Sequence, residues 1–224
     1  MSTISRGNKG EERVIKALKK RKDYFKLLNN VTFRNDNSEM THQVDHIFIN
    51  SHGVFVIETK NYYGTITVIE DENLWFKEVE GNKEIISNPL KQNKSHRKIV
   101  KNILGKNFDV VSIVVFVRNN APYLGDENVI NFKDLNAFID CYPYSKELNE
   151  EEIKEAYKLI KASSVKISKA EHLENISYLS QIKRELKAEI EFAVENNICP
   201  RCGGKMVEEN YHYRCSKCDF KFYL

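Results

Sequence analysis

No stretch of this chain is apolar enough to span a bilayer. Its longest apolar runs, such as Val110 to Val117, reach about eight residues against the ~20 a membrane helix needs. The opening residues MSTISRGNKGEERV lack the apolar core of a signal peptide, so export is not expected. Charge of one sign is lacking too, since 35 Lys/Arg against 32 Asp/Glu leave a net +3. Internal repeats and low-complexity tracts are missing, and Cys141 is the one cysteine outside the last 26 residues. These absences lead us to expect a cytoplasmic protein that makes no use of a membrane and carries no disulfide framework. A hydrophobic share of 41% excludes wholesale disorder, and 224 residues allow one full domain plus an appendage, or two small domains.

The distribution of charge says more than its sum. Residues 1–30 carry nine Lys/Arg against three acids, and Lys91 to Lys106 hold six basic residues and no acid. Two basic patches on a near-neutral chain suit a polyanion such as nucleic acid, and equally suit solvated helix faces.

Periodicity predicts an α/β unit. An amphipathic helix over 7–22 places Glu11, Val14, Ile15 and Leu18 on one face. Strands are expected at 26–33, 44–49, 54–60, 65–69 and 74–79. Asn88-Pro89 opens a helix running to about Leu104. A central strand at 110–117, a short strand near 129–132 and a helix near 133–141 complete the unit. Two helices are expected in 149–196, the first opened by Asn149 and three acids, the second by Ser168-x-x-Glu171. The expected organisation is a domain over 1–145, a helical linker over 146–196 and a small metal-bound module over 197–224.

Asn50-Ser51-His52-Gly53 is a turn between two β-rich runs, so the runs should pair as a hairpin. If Ile49 faces Val54, Asp45 lies opposite Glu58, and Lys60 shares the Glu58 face by strand periodicity. Opposed carboxylates at the end of a buried strand repel unless a cation or a shared proton intervenes. Two carboxylates plus waters suit Mg²⁺ or Mn²⁺, which can polarise a phosphodiester and activate a bound water. A Glu58–Lys60 or Asp45–Lys60 salt bridge at a sheet edge is the plain structural alternative. Glu11 points inward from the first helix, either toward such a site or as a charge favoured by the helix dipole.

Several of these residues carry a resemblance. Gly10-Glu11, Gln43-Val44-Asp45-His46-Ile47, Gly53 through Glu58-Thr59-Lys60-Asn61-Tyr62, Gly64 and Asn88-Pro89-x-x-Gln92 resemble the NERD (nuclease-related) domain over about residues 5–120. That domain is placed in the PD-(D/E)xK nuclease superfamily, although no proline precedes Asp45 here. The resemblance implies a mixed central sheet flanked by helices. It implies a metal held by Asp45, Glu58 and the Thr59 carbonyl, with Lys60 assisting the attacking water and Glu11 supporting the site. On the helix from Pro89, it sets Gln92 at the inward N-terminal side, where related nucleases contact substrate.

His96 shares a face with Gln92 and reads more readily as a satisfied core histidine. Lys94, Lys98 and Lys101 lie elsewhere around the helix and are the candidate phosphate contacts. His46 should pack or hydrogen-bond away from Asp45, His42 and His52 carry little signal, and Cys141 reads as a small buried hydrophobe.

Cys199-Pro-Arg-Cys202-Gly-Gly, then Cys215-Ser-Lys-Cys218, is a four-thiolate pattern for Zn²⁺. So short a segment cannot bury a core, so metal would supply its folding energy. It resembles the zinc ribbons of bacterial topoisomerase C-terminal regions, a class that often binds single-stranded DNA. Tyr211/Tyr213 and Phe220/Phe222 recur at period two and either stack on bases or cover the ribbon.

The expected activity is that of a metal-dependent DNA nuclease in DNA processing or repair, with RNA left open and the ribbon aiding binding. The alternative is a non-catalytic nucleic-acid-binding or protein-interaction module on the same fold.

Overall fold

The computed structural model describes residues 3–34, 41–69, 74–125, 128–167, 169–210 and 212–223, which divide into two units, Met1–Lys166 and Ile167–Leu224. Among the described residues no helix is long and apolar enough to cross a membrane.

The first unit opens with helix α1 (Thr3–Lys19), followed by strands β1 (Lys26–Arg34), β2 (Thr41–Asn50) and β3 (Gly53–Lys60). β1 pairs antiparallel with β2, and the two-residue loop Ser51-His52 pairs β2 antiparallel with β3, setting Asn50 opposite Gly53 and Ile49 opposite Val54. Strand β7 (Val110–Phe116) then pairs parallel with β3, and β8 (Val129–Asn131) parallel with β7, giving one mixed sheet of order β1-β2-β3-β7-β8. A parallel neighbour needs a crossover, and helix α2 (Pro89–Leu104) supplies it. Asn88 caps α2 by accepting the Leu90 and Lys91 amides at 2.9 and 3.1 Å.

Every residue of β7 is buried, as expected of a strand covered on both faces. On one face α2 and helix α4 (Glu150–Ser163) pack through Val100, Leu104, Ile153, Ala156 and Ile160 against Ile47, Ile49, Val54 and Val56. On the other, α1 and helix α3 (Leu135–Cys141) pack through Val14, Leu18, Leu135 and Ile139 against Phe48, Phe55, Ile57 and Ile113. A 3-10 turn at Phe132–Asp134 precedes α3.

Two features depart from the sequence reading. Residues 146–196 do not form one linker. The α4 side chains lie in the core of the first unit, whereas Ile190 and Val194 of helix α5 (Lys169–Glu195) pack on the cysteine-bearing end. The α4 stripe is simply amphipathic, and amphipathicity alone does not say which surface covers it. The second departure is a small antiparallel sheet of β4 (Thr65–Ile69), β5 (Leu74–Val79) and β6 (Asn82–Ile86). Its third strand is largely exposed and polar, so it carries no alternation to read, and the Glu80-Gly81 turn with both φ positive sets its pairing. Cys141 also differs from expectation, being exposed at the last position of α3.

The second unit holds α5 and a three-stranded antiparallel sheet, β9 (Met206–Glu209), β10 (His212–Cys215) and β11 (Lys221–Tyr223), with β10 central. The cap expected at Ser168, and Tyr211, lie outside the described residues.

Candidate functional site

The site forms where the β2–β3 hairpin ends. The last ladder pair is His46–Ile57, one step short of Asp45 and Glu58. There the Asp45 side chain takes over from the ladder, with Oδ2 accepting the Thr59 amide at 2.8 Å. Strand β1 breaks at the same level. Asn30 has φ +51°, and Leu28 packs in the same cluster as Val31 and Phe33 although their spacing breaks the period of two.

Glu58 is 3% exposed. Its Oε1 accepts from Lys60 Nζ at 2.6 Å, and the same ammonium donates to Gln92 Oε1 at 3.1 Å. The other oxygen, Oε2, is buried and has no hydrogen-bond partner among the described residues. It lies 3.6 Å from His96 Nδ1, which is likewise unpartnered, so His96 is not the satisfied core histidine expected from its place in α2.

Burial, reinforced by the Glu58 charge, raises the Asp45 carboxyl to about 7 despite the Thr59 amide and Lys60. Glu58 is raised too, by burial and by Glu11, against the pull of Lys60 and Gln92. Burial works against the Lys60 ammonium, yet Glu58, Tyr62 and Asp45 hold its pKa above the ordinary value. Glu11 is raised by burial and by Asp45, with Asn30 opposing. Burial drives His96 and His46 down to about 4, so both rings are neutral at pH 7. His46 Nδ1 is paired with Asn29 Oδ1 at 2.9 Å, the hydrogen-bonding role expected of it.

Four elements, α1, β2, β3 and α2, therefore carry Glu11, Asp45, Glu58 with Lys60, and Gln92 toward one place. The approach of α1 depends on Gly10, where an added Cβ would sit 2.9 Å from Asn61 Cβ, just beyond β3. Sequence reading missed the residue that seats α2. Asn93 is fully buried, and its amide donates to Val56 O and Ile113 O at 2.9 Å each, clamping the helix across β3 and β7. Its signal was an amide spaced three residues from Leu90 and from His96 on the inward side of α2, which looks unremarkable until both strands are in place.

The family described as "Nuclease-related domain" (NERD) matches residues 6–117, half of the 224-residue chain. The chain belongs to this family. An uncharacterized protein of Bacillus anthracis is 29% identical over 167 residues, covering 71% of this chain and 77% of its own length. No solved structure matches. The nuclease-related domain thus spans α1 through β7, the elements that carry all five candidate residues.

The three lysines assigned to phosphates divide. Lys101 Nζ donates to Phe108 O at 2.6 Å, anchoring the turn that leads into β7. Lys94 and Lys98 are exposed on α2.

In the second unit Cys199, Cys202, Cys215 and Cys218 converge, with Sγ atoms within 4.8 Å of one another. Contacts of 3.5, 3.6 and 3.8 Å are too long for disulfides and match the ~3.8 Å edge of a tetrahedron built on Zn–S bonds of ~2.3 Å. Burial opposes the Cys215 thiolate, but the Lys217 and Cys218 amides and the neighbouring thiols bring it down to about 6. The cluster could hold zinc. Tyr213, Phe220 and Phe222 pack around it, favouring the covering role for these aromatics.

Proposed function

We propose that the first unit is a metal-dependent nuclease of PD-(D/E)xK type acting on phosphodiesters of DNA. The observation that carries this reading is the buried, unpartnered Glu58 Oε2 beside Asp45, whose proton affinity is raised to about 7. An anionic oxygen without a donor, next to a second carboxylate, is stabilised by a cation. The residues fit Mg²⁺ or Mn²⁺, held by Asp45, Glu58 and the Thr59 carbonyl, and such an ion would polarise the phosphate and lower the pKa of a bound water.

The chain's own groups do the rest. Lys60 Nζ, fixed between Glu58 and Gln92, orients the attacking water and offsets charge growing on the phosphate oxygens. Asp45, held by the Thr59 amide, keeps the end of β2 against β3. Glu11 adds negative potential from α1 and takes up a proton more readily than an exposed glutamate. The four-cysteine ribbon binds Zn²⁺ and aids nucleic-acid binding in the cytoplasm.

Purified protein with Mg²⁺ or Mn²⁺, incubated with linear, circular and single-stranded DNA and with RNA, should cleave DNA, and EDTA should abolish the cleavage. Products unchanged by EDTA would refute the assignment, and products unchanged by Lys60→Ala would remove that side chain from the mechanism.

A further inference from the structure

A cleft of about 550 Å³ opens on the other side of Thr59, between the start of α1 and the β4–β6 sheet. Gly7, Thr59, Asn61, Tyr62, Tyr63, Lys77, Glu80 and Glu84 are among its walls. Its volume falls within the range of about 300–1,000 Å³ typical of small-molecule sites. The Thr59 side chain takes the face of β3 opposite Glu58 and Lys60, so the cleft lies across the end of the strand from them.

Tyr63 is 59% exposed, yet the turn that bears it is rigid. Asn120 donates to Tyr62 O at 3.2 Å and to Gly64 O at 2.6 Å. Gly64 has φ +94°, and a Cβ there would lie 2.0 Å from Glu78 O, so no other residue fits this turn. Arg118 donates to Asn61 Oδ1 at 3.2 Å and stands 5.6 Å from the centre of the Tyr63 ring. An aromatic ring is thus presented to solvent on a hydrogen-bonded turn three residues beyond Lys60. The cleft charges do not favour a phosphate, because Lys77 is paired with Glu84 and Glu80 adds a further acid. Amides, phenols and one closed ion pair instead suit a neutral heteroaromatic ring with hydrogen-bonding edges.

We propose that this cleft takes an unpaired nucleobase next to the phosphodiester held at Asp45, Glu58 and Lys60, with Tyr63 as its stacking platform. The inference rests on the nuclease reading and deepens it. A base within a duplex is stacked and paired and cannot enter, so the substrate class is a single strand, a flap or a frayed end.

The test compares binding of a fluorescent oligothymidylate with that of an abasic oligonucleotide of equal length, and with a duplex, in Ca²⁺ or EDTA. The full chain is used as parent, Tyr63→Phe and Tyr63→Ala. The parent should prefer the oligothymidylate over the abasic strand by about tenfold, the scale of stacking on one aromatic ring. Tyr63→Phe should keep that preference. Tyr63→Ala should lose most of it while retaining the salt dependence of binding, which reports phosphate contacts. Equal preference in parent and Tyr63→Ala overturns the proposal, as does tighter binding of the duplex than of the single strand, or no binding to any oligonucleotide. Cleavage by the parent and by Asp45→Asn, measured in parallel with Mg²⁺, separates the two readings. A flat base preference with Asp45-dependent cleavage sinks the cleft alone, whereas Tyr63-dependent base preference without cleavage upholds the cleft and sinks the nuclease.

Discussion

Asp45 is the residue whose protonation is most exposed to test. Its carboxyl titrates near 7 when folded and near 3.8 when free, so the neutral form is favoured by the folded chain. The contribution of Asp45 to the stability of the metal-free protein is therefore greatest below about pH 4 and is lost as pH rises through about 7. Asp45→Asn keeps an oxygen for the Thr59 amide and removes the charge. The variant should melt higher than the parent in EDTA at pH 8, by roughly 3 kcal/mol, and show a flatter pH profile between 4 and 8. Added Mg²⁺ or Mn²⁺ should raise the parent's melting temperature and barely move the variant's, since a cation that binds only the folded state stabilises it by mass action. A less stable variant in EDTA would place the Asp45 charge in a favourable pairing instead.

Lys60 behaves in the opposite sense, because it is the cation that offsets a buried glutamate. Lys60→Ala should abolish cleavage and also destabilise the metal-free protein at neutral pH by roughly 3 kcal/mol, the cost of leaving a buried charge unpaired. Glu58 escapes by taking up a proton, so the loss should shrink toward pH 5. Thermal melts across pH, beside the cleavage assay, check both halves. Residual metal-dependent cleavage in Lys60→Ala would remove this side chain from the mechanism.

At the scale of the element, α2 joins two kinds of cation that look alike in sequence. Arg97 Nε donates to Val110 O and Lys101 Nζ to Phe108 O, both at 2.6 Å, so these two stitch the helix to the strand that follows. Lys101→Ala should cost about 1–2 kcal/mol of stability and leave the salt dependence of DNA binding unchanged. If Lys94 and Lys98 contact phosphates, Lys94→Ala with Lys98→Ala should lower the slope of log affinity against log salt by about one per lost contact. An unchanged slope in that double variant returns both lysines to the solvated face of the helix.

The whole molecule divides into two units with separate sources of stability. Unit Met1–Lys166 has a two-sided core around its mixed sheet, whereas the ribbon end buries Val194, Cys199, Met206 and Cys215. So small a cluster needs the metal to hold it. The purified chain should contain about one Zn²⁺, bound by the four cysteines. Deleting 167–224 should remove the zinc and leave the melting of the first unit intact. Anaerobically prepared protein without zinc would overturn this assignment.

The sequence by itself determined what depends on neighbours along the chain. The turn residues Asn50 to Gly53 set the hairpin register, and with it the approach of Asp45 to Glu58 and the common face of Glu58 and Lys60. Asn88-Pro89 set the start of α2, and two CxxC pairs set a cluster of four thiols. Each follows from a period or a spacing that local geometry enforces. Only the tertiary structure decided which faces meet. The α4 stripe covers β1 and β2, Asn93 finds carbonyls on two strands, and His96 comes to lie beside an unpartnered oxygen of Glu58. Lys101 turns to Phe108, and the exposed strand β6 completes the sheet that walls the Tyr63 cleft. Those outcomes rest on residues far apart in the chain, and burial, which fixes the charge and the worth of each polar group, exists only once they have packed together.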